Sequence, residues 1–459
     1  MLRTVGDQAT LWESVLPAQA LGMPAELQRV DRLLDDDRFF EPYRRFFHAR
    51  LGRPSIPIET YLRLMFLKYR YRLGFEALCR EVTDSITWQR FCRIPLGGSV
   101  PHPTTLMKIT TRCGPTVVDA LNEALLARAV EAKVLKTNRV RADTTVMEAN
   151  VAYPTDSGLL AKGVAAMAAT VKKLKAMGLA TRTPMADRTR SVRARARSIN
   201  ANLRRRSDQK LAEVQRINAE LAGIAERTAG QAEAVVRNAT RTLRAHGDRA
   251  SGRARALVRR VAEIAERTRI VATQTRQRLA GITPDGATRV VSLHDPEARP
   301  IAKGRLGRPV EFGYKAQLVD NEDGVILDHT VEMGNPPDAP MLEPAIRRIT
   351  TRTGHAPRAV TADRGYGDAA VETALRVAGV RHVVLPTKGK PTAARHQIEH
   401  RPAFRRMVRW RTGCEGRISC VKRDFGLART RLDGLAGART WCGHGIFAHN
   451  LVKVGGLIE

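Results

Sequence analysis

The spacing of apolar residues changes along this chain, and the changes limit the folds that it can adopt. From Val140 to Met147 apolar and polar side chains alternate, which is the pattern of a half-buried β-strand. Residues 1–135 before it and residues 160–283 after it have helical spacing instead. Residues 288–459 alternate strand-like and helix-like stretches. The sequence therefore predicts an α/β fold, a mixed sheet flanked by helices, in which a long helical insertion separates one strand from the others.

The N-terminal region, 1–135, predicts an all-α domain of short helices joined by tight turns. An apolar stripe covers 58–73, Phe75 begins a second helix, Ser85 is at the N-cap position of a third, and Gly114 separates the last two. Cationic residues lie between the apolar positions: Arg63, Lys68, Arg70, Arg72, Arg80, Arg90 and Arg93. This pattern is typical of a helix-turn-helix DNA-binding domain. The alternative is a helical dimerisation domain whose basic face is only solvated.

Residues 161–285 predict a coiled-coil-like helical hairpin. Five apolar residues step by three and four, as in a coiled-coil seam: Leu211, Val214, Ile217, Leu221 and Ile224. The spacing recurs over 257–264, and residues 246–252 are the predicted hairpin tip. Arginines at 204–206 and 259–260 give the hairpin basic faces. The sequence leaves open whether those faces hold DNA or are only solvated.

The two segments that flank the insertion, 136–160 and 286–459, predict a single domain. The first contributes one strand. The second contributes predicted strands at 312–319, 325–331, 359–362 and 382–385, and predicted helices at 341–350, 369–377, 412–424 and 443–454.

The net charge points to a polyanionic partner. The chain has 78 Lys and Arg residues against 46 Asp and Glu, a formal charge of +32, and a pI near 11.0. Nucleic acid and an anionic membrane are the two candidates. No apolar run approaches the ~18 residues of a membrane span, and the N-terminus lacks a signal-peptide pattern. DNA is therefore the preferred partner, in the cytoplasm and associated with the nucleoid, and no membrane is expected.

The cysteine usage agrees with a reducing compartment. Six cysteines are scattered without a Cys-x-x-Cys pair, so reduced thiols are expected rather than a disulfide framework. A cluster near the C-terminus, Cys442, His444 and His449, is a weak candidate for a metal site because its spacing matches no common zinc module.

Three carboxylates are candidates for a catalytic site. Asp143 is near the end of the first predicted strand, and Asp363 ends another. Strand ends are where open α/β sheets place their chemistry. Glu415 is on a predicted helix, where Arg411 and Lys422 share its face. Phosphodiester cleavage needs such acids to bind divalent ions.

Each acid also has a simpler interpretation. A single aspartate after a strand is often a cap or turn residue, and a glutamate among arginines is often part of a surface ion pair. Asp156 and Asp328 are alternatives to Asp143 as the first ligand, because the insertion makes linear spacing uninformative.

Two motifs resemble those of the DDE transposases of bacterial insertion sequences. The motif Asp363-Arg-Gly-Tyr resembles their second-carboxylate motif, and Arg411-x3-Glu415-x6-Lys422 resembles the signature around their glutamate. Val408 stands where that signature has a tyrosine. The segments 141–160 and 73–106 also resemble this family, and the closest group is that of insertion sequence five and its unclassified relatives. The resemblance covers nearly the whole chain apart from the helical insertion.

The resemblance implies an RNase H-like catalytic domain with a two-metal mechanism. Asp143, Asp363 and Glu415 would bind two Mg²⁺ ions, with Mn²⁺ as a substitute. Arg411 and Lys422 would position the DNA backbone, and the sequence adds two further phosphate-contact candidates, Arg417 and Arg423.

The reaction that the resemblance implies is hydrolysis at the element's ends, followed by strand transfer to target DNA. The partners would be double-stranded DNA, both the terminal inverted repeats and the target, and further copies of the chain in a dimer or larger assembly. Three alternatives remain: an RNase H-like nuclease without strand transfer, a catalytically inactive DNA-binding descendant, and an RNA-binding helical protein. The last leaves the three acids unexplained.

Overall fold

The computed structural model describes residues 1–4, 15, 17, 22–203, 207–245, 251–303, 307 and 309–458. The chain forms two compact units. The first, which we call the sheet unit, consists of three segments: Met1–Ala149, Tyr314–Glu332 and Pro336–Glu459. The second, which we call the helical unit, consists of Asn150–Gly313 and Met333–Asn335. No helix in the described part of the chain is long and apolar enough to cross a membrane.

The N-terminal part of the sheet unit is helical, as predicted. Its helices are α1 (Ala25–Leu34), α2 (Glu41–Arg44), α3 (Ile58–Arg70), α4 (Phe75–Asp84), α5 (Ile86–Phe91) and α6 (Pro103–Glu131). Ser85 caps α5 by accepting a hydrogen bond from the Trp88 N–H at 3.2 Å. Gly114 interrupts α6 with φ 60° and ψ −159°, so the predicted break between two helices is present.

Two of the cations predicted to face DNA in this region are buried. Arg63 has no exposed surface, and it forms 2.6 Å ion pairs with Asp31 and Asp35. Lys68 Nζ lies 4.0 Å from the Trp441 ring centroid and is also buried. The prediction that these two side chains contact DNA is wrong, because carboxylates beside α1 and the aromatic core enclose them. Their helical spacing placed them on the inner face of α3.

The helical unit contains four long helices. They are α7 (Asp156–Ala176), α8 (Thr189–Leu203), α9 (Asp208–Ala245) and α10 (Gly252–Leu279). Ion pairs join Glu233 to Arg269 at 2.5 Å and Glu226 to Arg276 at 2.6 Å, so α9 and α10 run antiparallel, as the predicted hairpin requires. Helices α7 and α8 pack on this pair and share its apolar core.

Several details of the insertion differ from the sequence expectation. Leu211 is 49% exposed and lies outside the seam, whereas the other four predicted seam residues are buried. Helix α7 begins within the segment 136–160, for which only a strand was predicted, and Thr155 caps it by accepting a hydrogen bond from the Gly158 N–H. The predicted basic residues 204–206 and residues 246–250 of the predicted tip lie outside the described residues.

The sheet has six strands with mixed directions. They are β1 (Arg139–Glu148), β2 (Arg299–Ala302), β3 (Val310–Asn321), β4 (Ile326–Met333), β5 (Ala359–Ala362) and β6 (His382–Val384). Their order is β2-β3-β1-β5-β6, with β4 paired to β3. Strand β1 pairs in parallel with β5, and β5 in parallel with β6. The first strand in sequence is therefore central in the sheet.

Helices flank this sheet. They are α11 (Ala339–Thr353), α12 (Ala369–Val377), α13 (Ala393–His400), α14 (Pro402–Asp424) and α15 (Gly434–Gly455). Helix α14 packs against β1 and β5, and it is the helix that carries Glu415. The predicted mixed α/β architecture is thus confirmed.

Candidate active site

Two aspartates follow matching positions on neighbouring parallel strands. The register of β1 and β5 pairs Ala142 with Ala362. Asp363 directly follows β5, whereas Asp143 is the fifth residue of β1, which continues to Glu148. The prediction that Asp143 is near the end of its strand is therefore wrong, but the register makes the two aspartates neighbours where β5 ends. Neighbouring strands are only about 4.8 Å apart. The carboxyl ends of strands in open α/β sheets are where ligand sites form.

A buried arginine fixes α14 against this edge. Arg141 is two residues before Asp143, and its guanidinium donates two hydrogen bonds, of 2.8 and 2.9 Å, to the fully buried carboxylate of Asp320. The same guanidinium donates to the Trp410 carbonyl oxygen at 2.8 Å. A Cβ at Gly413 would lie 2.1 Å from Arg141 Nη1, so a glycine is needed for this approach. Arg141 therefore sets where α14 meets β1.

Helix α14 carries the third carboxylate and an arginine that joins the acids. Arg411 Nη2 donates to Glu415 Oε1 at 2.8 Å, one helical turn away. Arg411 Nη1 lies 3.4 Å from Asp143 Oδ2. The side chain of Glu415 is 60% exposed, whereas those of Asp143 and Arg411 are 13% and 15% exposed. One guanidinium thus bridges a strand acid and a helix acid, and Glu415 is the more accessible of the two.

The surroundings of Asp143 disfavour its ionisation. Burial is the main cause that raises the pKa of Asp143 to about 6, and the negative charges of Asp363 and Glu415 add to the rise. A 2.7 Å hydrogen bond from the Thr144 N–H and the charge of Arg411 act in the opposite direction. The Asp143 carboxylate is therefore destabilised by its surroundings, and a bound cation would relieve that cost.

The two alternative first ligands have other partners. Asp328 Oδ2 lies 2.7 Å from Arg348 Nη2, and the side chain of Asp328 is only 4% exposed. Asp156 belongs to the helical unit, where its Oδ2 lies 3.4 Å from Arg278 Nη1. Neither is among the charges that shift the pKa of Asp143.

The chemistry of the three acids fits a hard divalent cation. Mg²⁺ prefers oxygen ligands and retains several waters, so a few carboxylates suffice to hold it. Within the described residues, no group of three or more His, Cys, Asp or Glu side chains is already arranged to hold a metal ion. Arg411 supplies the positive charge to two of the acids instead. The three residue types therefore fit a divalent metal ion. Binding of the ion by all three acids would require Arg411 to release Asp143 and Glu415.

Sequence reasoning missed a fourth acid at this edge. A Cβ at Gly365 would lie 2.9 Å from Asp338 Oδ2 and 3.0 Å from Asp363 Oδ1, so this glycine stands between two carboxylates. Lys315 Nζ lies 2.6 Å from Asp338 Oδ1 and balances its charge. Tyr366 is buried beside them, and burial, followed by the nearby acids, raises its pKa. Asp338 precedes a helix after two prolines, where an aspartate suggests only a cap, so no local pattern marked it.

Arg417 faces inward, although the sequence suggested that it contacts phosphate. Its side chain is 16% exposed, its Nη1 lies 3.2 Å from His449 Nε2, and its Nε lies 3.5 Å from Asp320 Oδ2. These contacts give Arg417 a structural role. Its contact with DNA remains a prediction.

The other predicted phosphate contacts on α14 are closer to the surface. Arg423 is 69% exposed and pairs with the neighbouring Asp424 at 2.8 Å. Lys422 is half-buried. The structure holds no DNA, so the contacts of Lys422, Arg423 and Arg411 with phosphate stay predictions.

The C-terminal cysteine and histidines belong to the core. Cys442, His444 and His449 are all buried on α15. His444 stacks on Tyr69 with ring centroids 5.4 Å apart, and burial lowers its pKa to about 3. These contacts account for both the burial and the position of His444, and the three residues form no metal-ligand group in the described structure.

Comparison with known proteins gives matches at both ends of the chain. Residues 17–112 match a family described as "Transposase domain (DUF772)", and residues 285–451 match one described as "Transposase DDE domain". "Uncharacterized protein ORF8 in nfe locus" of Rhizobium meliloti is 28% identical over 157 residues, which are 32% of this chain and 73% of that protein. No solved structure matches the chain.

Both matched regions are those of transposase families, and they support the identification of the chain as a DDE transposase of a bacterial insertion sequence, as its motifs predicted. The mixed sheet flanked by helices is consistent with an RNase H-like catalytic domain, and DDE domains generally use divalent metal ions. Asp363 and Glu415 lie within the matched DDE region. Asp143 lies outside both matched regions, so its assignment depends on the pairing of β1 with β5.

Proposed function

We propose that this transposase cuts DNA at the ends of its element and joins the freed ends to target DNA, with Asp143, Asp363 and Glu415 as its metal-binding acids. The observation that carries the proposal is the approach of these acids at one edge of the sheet, which contributes to the raised pKa of Asp143. Asp363 also caps a short 3-10 helix, and Glu415 also pairs with Arg411, so each has a local role as well. These local roles do not require the two acids to lie near Asp143, and a shared metal ion would.

The three carboxylates would hold two Mg²⁺ ions, and Mn²⁺ is expected to substitute because it accepts the same oxygen ligands. When bound, the two ions would stabilise the attacking and leaving oxygens of an in-line phosphoryl displacement. Backbone N–H groups orient the acids: Gly365 donates to Asp363 Oδ1 at 2.8 Å, and Thr144 donates to Asp143 Oδ1. The second oxygen of Asp143, Oδ2, lies 3.4 Å from Arg411 Nη1 instead.

Two displacements at phosphorus make up the proposed reaction. In cleavage, a water oxygen attacks the phosphorus, the bond to the 3′ oxygen breaks, and that oxygen takes up a proton to leave as a 3′-hydroxyl. In joining, the freed 3′-hydroxyl loses its proton and attacks a phosphorus of the target strand. The target's own 3′ oxygen is displaced, so one phosphodiester bond forms for each one that breaks.

Cationic side chains near the acids would hold the DNA backbone. Arg411 is shared between Asp143 and Glu415, and a phosphate offers it a strong alternative partner through charge-assisted hydrogen bonds. Lys422, Arg417 and Arg423 are proposed as further contacts on α14. Because Arg411 serves the acids without DNA, its transfer to phosphate would free them for metal.

The partners of this reaction would be double-stranded DNA and further copies of the chain. The DNA comprises the terminal inverted repeats of the element and the target. A dimer or larger assembly would pair the two ends. The helical region 1–135 is proposed to read the ends, and we expect the protein at the nucleoid, in the cytoplasm.

The test is cleavage and joining of linear DNA that carries the element's end, with Mg²⁺ or with EDTA. Wild-type protein should give cleaved and joined products only with the metal. Glu415→Gln should lower the rate by about a thousandfold or more, because several kcal/mol of charge stabilisation are lost. Its DNA binding should persist. Asp424→Asn is the matched control, since this half-buried acid is on the same helix and pairs with Arg423 rather than with Arg411.

The outcomes separate the remaining functions. Cleaved but never joined products would indicate a nuclease without strand transfer. Binding to the correct end without any metal-dependent product would indicate an inactive DNA-binding descendant. Equal loss of activity in Glu415→Gln and Asp424→Asn would show that Glu415 has no special role.

A further inference from the structure

The helical unit carries more than half of the net charge of the chain. Residues 160–283 contain 28 Lys and Arg but only 9 Asp and Glu, a net charge of +19 out of +32. A bundle of four helices needs no such excess to fold, and mutual repulsion of like charges opposes its compaction. The three catalytic acids are elsewhere, in the sheet unit. The charge of the helical unit therefore calls for its own explanation.

The acids of the helical unit neutralise one side of it. Four glutamates on α9 serve as ion-pair partners: Glu213, Glu220, Glu226 and Glu233. They pair with Arg195 of α8, with Arg216 of α9 itself, and with Arg269 and Arg276 of α10. Arginines that face α9 thus have their charges balanced within the protein.

The opposite side of the unit has a groove lined by cations. It lies between α7, α8 and α10 and encloses about 1330 Å³. Small residues such as Ala161, Ala165 and Ala196 leave the space open. Helix α8 contributes Arg190, Arg193 and Arg197, and helix α10 contributes Arg259, Arg260 and Arg267. Two rows of arginines therefore line one concave surface.

Most of these cations form no ion pair. Within the part of the chain that the structure describes, Arg190, Arg193, Arg197 and Arg260 are exposed and have no carboxylate within 4.0 Å, although Asp187, which also lines the groove, interacts electrostatically with Arg193. Glu263 alone serves Arg259 at 3.9 Å and Arg267 at 3.4 Å. Arg195 lies between Arg193 and Arg197 in sequence, yet it turns to α9 and pairs with Glu220. The charges are thus sorted by the face of the helix on which they lie.

We propose that this groove binds the phosphate backbone of duplex DNA, outside the catalytic site. The inference rests on the proposed function, in which DNA is the substrate. Arg190, Arg193 and Arg197 step by three and four residues and extend about 10 Å along one face of α8. One strand of B-DNA carries a phosphate every 3.4 Å of axis, roughly, so this row can face about three phosphates. Exposed arginines suit such contacts because their guanidinium groups bind phosphate oxygens in pairs.

The test compares the salt dependence of DNA binding in two triple variants. Both are made in the full chain with Glu415→Gln and EDTA present, so that no DNA is cut. Arg193→Gln, Arg197→Gln and Arg260→Gln remove groove cations. Arg216→Gln, Arg269→Gln and Arg276→Gln remove exposed cations that already have glutamate partners.

Each lost phosphate contact lowers the slope of log affinity against log salt by about 0.9. The groove variant should therefore have a slope shallower by about 2.7. Between 50 and 200 mM salt the parent protein should then lose about 40 times more affinity than the groove variant. The paired variant should keep the parent slope. Replacing the same groove arginines by lysine should also keep it, because the charges remain.

Two outcomes would overturn the proposal. One is a groove variant that melts at the same temperature as the parent and has the same slope of log affinity against log salt. The other is an equal loss in both triple variants, which would reflect net charge rather than the groove. Failure of the proposed function is separate, since it would appear as wild-type protein that binds DNA with the full slope and forms no metal-dependent product.

Discussion

The acidic site and the basic groove both keep charges of one sign together, but in different surroundings. In the sheet unit, Asp143 is only 13% exposed, and burial, with the charges of the other two acids, raises its pKa to about 6. In the helical unit, Arg193 and Arg197 are exposed on a regular helix, and water already solvates them. The acids are thus held together against a desolvation cost, whereas the arginines need only a helix that presents one face.

This difference follows from what each region is proposed to bind. A small divalent ion needs several oxygens at fixed positions, so its acids must be brought close and oriented. A DNA backbone is long and uniformly charged, so its partners need spacing along a surface rather than a fixed geometry. The acidic site accordingly depends on a buried support, Arg141 with Asp320, and on close approaches at Gly365 and Gly413. The groove depends on helix periodicity.

The largest expected effect is the removal of the buried support. Arg141→Met would leave the fully buried Asp320 without its two-hydrogen-bond partner. Breaking a buried ion pair costs about 3–5 kcal/mol of unfolding free energy. Unfolding in denaturant measures this loss of stability. Activity should fall as well, because α14 loses the hydrogen bond from Arg141 to the Trp410 carbonyl oxygen.

Arg139→Met is the matched control on the same strand. Arg139 is 47% exposed and pairs with Glu322 at 2.5 Å, so its loss should cost about 1 kcal/mol or less. Similar losses for the two variants would mean that the acidic site has no special support, and the contrast with the groove would disappear.

A smaller effect is expected from removing the negative charge of Asp143, whose ionisation its surroundings disfavour. The pKa of Asp143 is raised from 3.8 to about 6, so the folded state holds a proton that the unfolded state has released between these values. The stability of the metal-free protein should therefore fall as pH rises from about 4 to 6 and stay low above that. Asp143→Asn should remove this fall, and at pH 7 it should raise stability by up to about 3 kcal/mol.

Unfolding in EDTA across this pH range measures the effect. Added Mg²⁺ should stabilise wild-type protein more at pH 7.5 than at pH 5, because protonation of Asp143 removes a ligand. It should stabilise Asp143→Asn little at either pH. If the stability of wild-type protein did not change with pH over this range, the raised pKa of Asp143 would be contradicted.

The smallest expected effect concerns the helical unit. Arg193→Gln removes an exposed cation that forms no ion pair within 4.0 Å, and stability should change little, because repulsion within the groove decreases while a weak attraction to Asp187 is lost. Arg276→Gln breaks a pair with Glu226 and should cost about 0.2–1 kcal/mol. Thermal melting of the two variants compares them. A large loss for Arg193→Gln would mean that the groove cations support the bundle, and that their exposure has another cause.

The sequence predicted the elements whose signals are local. The strand at 359–362 and the helix at 369–377 have the predicted bounds, because turn residues limit them on both sides. Helix α14 begins at Pro402, ten residues before the predicted start, since its first turns are rich in arginine and show no apolar stripe. Helix α8 buries only Val192 and Ile199, too few to reveal a period. Helix α13 has no buried residue, and it was not predicted.

The sequence predicted the acids of the candidate site but not the residues that hold them in position. Asp143 lies within a strand-like segment, Asp363 follows one, and Glu415 lies in a recognisable motif. Arg141 and Asp320 are 179 residues apart in sequence, and nothing near either one indicates the other. Asp338 is likewise defined by contacts across the fold. Residues that bind a ligand carry a chemical pattern, whereas residues that hold them in place are identified by their neighbours in space.

The central position of β1 has a consequence for synthesis of the protein. Asp143 leaves the ribosome 272 residues before Glu415. At usual bacterial elongation rates this delay lasts roughly 15–50 s. For most of that time the first strand lacks its parallel neighbour β5, and throughout it lacks the part of α14 that carries Glu415. The chain can therefore acquire its proposed cutting activity only after Glu415 has been synthesised, and a polypeptide released by a nonsense codon before that residue would leave the chromosome uncut.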